Sequence, residues 1–451
     1  MNARTFLLPS HVVIAASSSE AQALQLALAR LSSPVASLIP VLMLGYVMII
    51  WPLVFGGGDY SPIEVQAGWM APLPPDAGER SPLKMIAYPL LFVLAVISSI
   101  FTGSYRRLPF NNPGIAAVVG VIALAVASAS WSLFPQFTFM RGALLGIIST
   151  TLILAVYSAH SFRVMMIGLF MVVVVAMALN VVSVATQPPG PIGHTGIYPQ
   201  KNVFGWVSGV ILFVGLYHLT FGGLFQRSIA LAMIVAAPVF LILSQSKTSL
   251  GLSLLAPVAG LMLLYPARRM LISPAIVVSA GVGLAALVYF TGESAGLWTF
   301  KWLSQKLLGD PTLTGRTDLW DFAATLIAAQ PWLGYGYEAV WGLGYDGLPY
   351  RMTLGFARVA PTGHNGYIDM LLHLGLFGFA LKVTFLLAAL TAAGRLARRD
   401  ARLGWLSLTI VVFVLLHNNL ESDVMISSNP LSMLLMLFLA IGLRLTGHRR
   451  A

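Results

Sequence analysis

The chain has 451 residues, of which 58% are hydrophobic and 9% charged, and Lys and Arg outnumber Asp and Glu by 26 to 15, for a formal charge of +11. A charged fraction far below the ~25% of soluble domains excludes a soluble enzyme, and the high hydrophobicity excludes a disordered chain, so the solvent is a bilayer. The absence of cysteine removes disulfides, thiolate metal sites and cysteine nucleophiles, while the cationic surplus means little until each charge is placed.

Residues 1–33 hold no basic segment leading into an apolar run and a small-residue cleavage site, so they are expected to be a cytoplasmic segment and not a signal peptide. Apolar runs of about 20 residues then predict an all-α integral membrane protein. Twelve such runs lie near 34–55, 82–101, 114–133, 142–158, 164–186, 203–221, 229–244, 248–266, 271–290, 370–391, 403–418 and 428–445. Only Gln245, Ser246 and Lys247 separate the seventh from the eighth, which predicts a tight polar hairpin. The chain therefore divides into nine spans over 34–290, a long segment at 291–369, three spans over 370–445 and a tail at 446–451.

Orientation follows from the basic residues of the short loops. With the N-terminus cytoplasmic, the inner face collects Arg4, Arg30, Arg106, Arg107, Arg163, Arg227, Arg268, Arg269, Arg395, Arg398, Arg399, Arg402, Arg444, Arg449 and Arg450. The acids partition the other way, with only Glu20 and Asp400 inside. Both termini are thus expected in the cytoplasm, and segment 291–369 faces outward. Within it, the stretch from Asp318 reads as an amphipathic helix with Thr317 as its N-cap. Its Trp and Tyr residues suit either the membrane interface or a sugar-stacking surface.

Four basic residues break the inward trend at one membrane depth: Arg141, Lys201, Lys247 and Arg316. Three of them also sit beside expected helix N-termini, whose exposed N–H groups favour an anion, and a phosphate group is the ligand such a set suits. The plainer reading of each is a side chain reaching for lipid headgroups. Among the histidines, His364 stands in Thr362-Gly-His-Asn-Gly, where the outer segment turns into the tenth span, with Asn365 beside it and Asp369 five residues on. An imidazole near a carboxylate suits a general base, against the alternatives of a helix cap or a structural hydrogen bond. His194 lies on the outer face near Lys201 as a supporting candidate, and the cluster His417-Asn-Asn-Leu-Glu-Ser-Asp offers Asn419 and Glu421 to sugar hydroxyls or simply ends a helix. The scattered carboxylates form no metal site, so no cofactor is expected.

The order Gly315-Arg-Thr-Asp-Leu-Trp, Pro331-Trp-Leu-Gly-Tyr-Gly, His364-Asn-Gly-Tyr-Ile-Asp and Leu374-Gly-Leu-Phe-Gly resembles the O-antigen ligase and Wzy-type polysaccharide polymerase superfamily. Tyr198-Pro-Gln-Lys-Asn-Val-Phe-Gly, Leu243-Ser-Gln-Ser-Lys-Thr-Ser and Asn419-Leu-Glu-Ser are similar to its exopolysaccharide branch, and the resemblance covers roughly 130–445. It implies a helical fold related to the lipid-linked-sugar glycosyltransferases, a site under the outer segment, and a bacterial inner-membrane protein acting at the periplasmic face. The implied reaction transfers a glycan from undecaprenyl pyrophosphate to a sugar hydroxyl by inversion. Arg316 takes the place of the family's outer-loop arginine and His364 that of its catalytic histidine. Arg141 and Lys201 are the candidates for a second arginine, and Lys247 joins them as a pyrophosphate ligand. Polymerisation is favoured over transfer to lipid A core as a ligase. Transport or lipid flipping is the rival from another class, but it would show internal repeats and midplane charges.

Overall fold

The structure, a computed structural model, describes residues 18–55, 82–313, 315–353, 357, 358 and 360–447. Arg4, Arg449 and Arg450, placed inward by the charge argument, lie outside the described residues. Helices dominate, and among the described residues the only β pairing is an isolated bridge between Gly190 and Gly193. The order is α1 (Ser18–Gly45), a π-helical turn (Tyr46–Ile50), α2 (Trp51–Phe55), α3 (Pro82–Thr102), α4 (Pro113–Ala127), α5 (Pro135–Ser158), α6 (Phe162–Thr186), α7 (Lys201–Phe221) and α8 (Leu224–Ser244). There follow α9 (Lys247–Arg269), α10 (Pro274–Ser294), α11 (Phe300–Leu308), α12 (Arg316–Ala329), α13 (Leu348–Met352), α14 (Gly366–Arg399), α15 (Ala401–His417) and α16 (Pro430–Gly447). Among the described residues, eleven helices are long and apolar enough to cross a membrane, and α15 is a shorter apolar helix of 17 residues. All twelve expected spans therefore coincide with helix.

The core lies between α16 and α7, whose most apolar windows are 72% and 67% buried, whereas α10 at 11% is peripheral. Arginines close the end of the bundle assigned inward. Arg398 donates to the carbonyls of Ala267 and Leu271 past α9, at 2.8 and 2.6 Å, and Arg444 donates to those of Val156 and Ala159 at the end of α5. Carbonyls that a helix terminus leaves unpaired thus find donors.

At the opposite end, α14 is broken. Gly375 adopts φ 62°, ψ −160°, and splits the helix into a half-helix, 366–374, and the longer spanning part. The loop after α12 fills the break: Tyr335 N and Gly336 N donate to the carbonyls of Leu372 and His373 at 2.8 and 3.0 Å, and Leu376 N donates to Pro331 O at 2.8 Å. A Cβ on Gly375 would lie 2.2 Å from the Trp332 carbonyl, and one on Gly334 would lie 2.4 Å from Leu372 O. The Pro331 and Leu374 motifs are thus two sides of one interlock, which satisfies backbone groups freed at the membrane edge. A small second core over it joins Leu319, Ala323 and Leu326 of α12 to Val340, Trp341 and Leu372.

The middle of α10 stands clear of the bundle. Ten consecutive residues, 279–288, are exposed, nearly three turns with no covered face. Trp298, seated on Gly292, and Leu303 of α11 roof a groove of about 480 Å³ lined by Gly281, Leu284, Ala285 and Val288.

Candidate active site

Glu421, in the turn after α15, is the hub of the polar cluster. Its Oε1 accepts from Arg316 Nη2 at 2.7 Å and from Asn202 Nδ2 at 2.7 Å, and its Oε2 lies 3.0 Å from His364 Nδ1. Arg316, His364 and Glu421 are 15%, 16% and 14% exposed, desolvated enough to interact strongly yet open to a ligand. The Asn202 carbonyl oxygen accepts from Ser246 Oγ at 3.1 Å, which carries the network to the α8–α9 hairpin. Burial works to raise the Glu421 carboxyl, but the hydrogen bond and charge of His364, with the charges of Arg316 and His417, more than offset it and hold the group below its usual value.

The helix starts concentrate positive potential here. Lys201, Lys247 and Arg316 are the first residues of α7, α9 and α12, and Lys201 faces the charges of both Arg316 and Lys247. Three cations and three helix N-termini, with one carboxylate among them, leave the cluster with a surplus of positive potential, which favours an anion. The hairpin before α9 has its expected tight form, closed by Gln245 at φ 51°.

Local structure explains how His364 is presented. It precedes the N-cap Asn365, whose Oδ1 accepts from the amides of Tyr367 and Ile368 at 3.0 and 3.2 Å. His364 itself sits at φ 49°, a left-handed conformation uncommon outside glycine and found at sites where geometry matters more than local comfort. Trp320 Nε1 of α12 donates to Gly363 O at 3.0 Å, tying the arginine's helix to the histidine's turn.

Several sequence expectations are corrected. The carboxylate on His364 is Glu421; Asp369 instead accepts from Trp341 Nε1 at 2.8 Å, Gly363 N at 3.2 Å and Ser422 Oγ at 2.5 Å, so it braces the turn from behind. Helical spacing does not relate His364 to Asp369, because His364 lies before the cap. The N-cap of α12 is Gly315 at φ 80°, with Thr317 inside the helix. Arg141 contacts a different set of residues: Nη1 meets Glu338 Oε2 at 2.5 Å and Ser427 Oγ at 3.2 Å. His194 is buried, with Nδ1 accepting from Gly196 N at 2.9 Å and Nε2 3.2 Å from Gln187 O, and it shapes the loop before α7. Asn419 Nδ2 donates to the carbonyls of Leu415 and Leu416 and finishes α15. Sequence reading missed Asn202, Ser246 and Glu338, and saw Glu421 as a sugar ligand or part of a helix end, not as the partner of His364; Asn202 stands beside Lys201 in a motif already singled out. Among the described residues no group of three or more His, Asp or Glu is placed to hold a metal ion.

A family model described as O-antigen ligase matches residues 229–383, a segment that includes Lys247, Arg316 and His364. The exopolysaccharide production protein ExoQ of Rhizobium meliloti (strain 1021) is 30% identical over 213 residues, which is 44% of this chain and 46% of that protein. The aligned part thus spans about half the length of this relative. The cluster's cations and histidine and the interlocked glycine motifs thus lie in a chain that is similar, over residues 229–383, to the O-antigen ligase family.

Proposed function

We propose that the protein is a polysaccharide-assembly glycosyltransferase that polymerises undecaprenyl-pyrophosphate-linked repeat units at the periplasmic face. The observation that carries this reading is the His364–Glu421–Arg316 cluster, in which one carboxylate holds a histidine and a phosphate-compatible arginine side by side. With a proton on Nδ1 donated to Glu421, the imidazole acts through Nε2. It takes the proton of the acceptor hydroxyl as that oxygen attacks the anomeric carbon, and the carbon–oxygen bond to pyrophosphate breaks with inversion. Glu421 stabilises the imidazolium that forms. Arg316, Lys201 and Lys247 meet the charge that develops on the departing pyrophosphate. The apolar groove beside α10, beneath the linker that leads to Arg316, suits the prenyl chain of such a donor. Its volume lies in the ~300–1,000 Å³ range of ligand sites.

Similarity to a protein named for exopolysaccharide production favours polymerisation over transfer to lipid A core. The test is incubation of the purified protein in nanodiscs with a defined undecaprenyl-pyrophosphate glycan, with and without lipid A core, and mass analysis of the products. A ladder of lipid-linked repeats is expected, and a single transfer to lipid A core would instead identify a ligase. His364→Ala should give no product at normal expression. Arg316→Lys should retain little activity because the planar fork is lost. Wild-type turnover by His364→Ala would remove the histidine from the mechanism.

A further inference from the structure

Lys382 is a fully buried ammonium in the spanning part of α14, an expensive place for a charge. Its Nζ donates to Gly366 O at 2.6 Å, sixteen residues earlier on the same element. A straight helix would separate those residues by about 24 Å. The contact exists because the break at Gly375 folds the half-helix back toward the spanning part.

The group that Lys382 holds is the first residue of the half-helix that presents His364. The Gly366 peptide is gripped from both ends, since its N–H donates to the carbonyls of Asn418 and Glu421 at 2.9 and 3.1 Å while its C=O accepts from Lys382. A Cβ on Gly366 would lie 2.2 Å from Asn418 Oδ1, so the corner has no slack. Asp369 and Asp423 interact electrostatically with the Lys382 side chain, and the Tyr367 ring centroid lies 5.5 Å from Nζ. A cation beside a helix N-terminus opposes the helix dipole. Net stabilisation therefore explains this lysine poorly, and the place it holds explains it well.

We propose that Lys382 is a positioning residue that fixes His364 against Glu421 by clamping the Gly366 corner from within the membrane. The inference rests on the assignment of His364 as the base. Its test is steady-state kinetics of Lys382→Met and Lys382→Gln in nanodiscs, with His364→Asn as reference. Misplacing a reacting group by about 1 Å costs up to about 100-fold, so Lys382→Met should lower kcat by roughly 10- to 100-fold. Donor KM should stay within about twofold of wild type, since pyrophosphate and prenyl contacts remain. Lys382→Gln, which keeps an N–H donor without the charge, should fall between the two and gives the measurement if the methionine variant does not fold. Wild-type kcat in either variant, or a raised donor KM at unchanged kcat, would overturn the clamp. An active His364→Asn would instead sink the reading of the base, whatever Lys382 does.

Discussion

Replacing Glu421 with Gln keeps the side chain's shape and removes its charge, and the geometry sets the size of the effect. At the 3.0 Å separation from His364 and an effective dielectric of about 20, a carboxylate attracts an imidazolium by roughly 5 kcal/mol. An amide retains part of that attraction through its dipole, and the charge-assisted share of such a bond is about 1.5–3 kcal/mol. The amide nitrogen also faces Nδ1 donor to donor unless the ring moves its proton to Nε2, the atom required to accept one. A loss of about 3 kcal/mol in the transition state lowers kcat by a factor on the order of 100. Arg316 meanwhile loses its counter-charge, so donor KM should stay level or fall. Initial rates over a donor concentration series in nanodiscs separate the two effects. The reasoning is refuted if kcat stays within threefold of wild type, or if the loss lies wholly in a raised KM.

Three further outcomes are expected. Arg141→Ala removes the hydrogen-bonded cation of Glu338, which is 9% exposed and keeps only the longer-range charge of Lys84, and should destabilise the protein in detergent by about 2–3 kcal/mol, below the usual loss for a broken buried pair because the arginine is partly exposed and Lys84 remains; the Arg141→Ala, Glu338→Ala double variant should recover part of this, and additive losses would show the pair is uncoupled. Ala285→Trp, which fills the groove beside α10, should raise KM for a long-chain prenyl donor and leave a short-chain donor unaffected, whereas equal effects on both would place the tail elsewhere. The Glu421 carboxyl is held below its reference value of 4.5, so it contributes stability that is fully present above pH 4.5 and lost as pH falls through the lower native value. The unfolding midpoints of wild type and Glu421→Gln should accordingly stay apart above pH 4.5 and converge below it; a gap that already closes at higher pH would contradict the depressed value.

The spans were legible because a run of about 20 apolar residues has few other uses. The break in α14 was not, since Gly375 in an apolar stretch looks like any small residue until Pro331–Gly336 is seen lying against it. At the site, the structure brings together three of the four misplaced cations, Lys201, Lys247 and Arg316, because each begins a helix at the same end of the bundle. Arg141 has the same sequence signature but lies inside α5, within reach of Glu338. Glu421 lies 57 residues from His364, a distance over which local spacing carries no information. The Lys382–Gly366 contact was not legible either, because it depends on a fold-back that no helical periodicity predicts.

The surplus of positive charge around Glu421 also bears on what happens after transfer. Of Arg316, Lys201 and Lys247, Arg316 is ion-paired with Glu421, and on the proposed reading the three cations neutralise the diester of the glycan-bearing donor. Once the sugar leaves, the remaining prenyl pyrophosphate carries a free terminal phosphate and more negative charge than before, so the pocket grips the spent carrier harder than the loaded one. Each cycle would then wait on clearance of that carrier. Its departure should quicken with ionic strength and with any phosphatase that trims the pyrophosphate as it emerges.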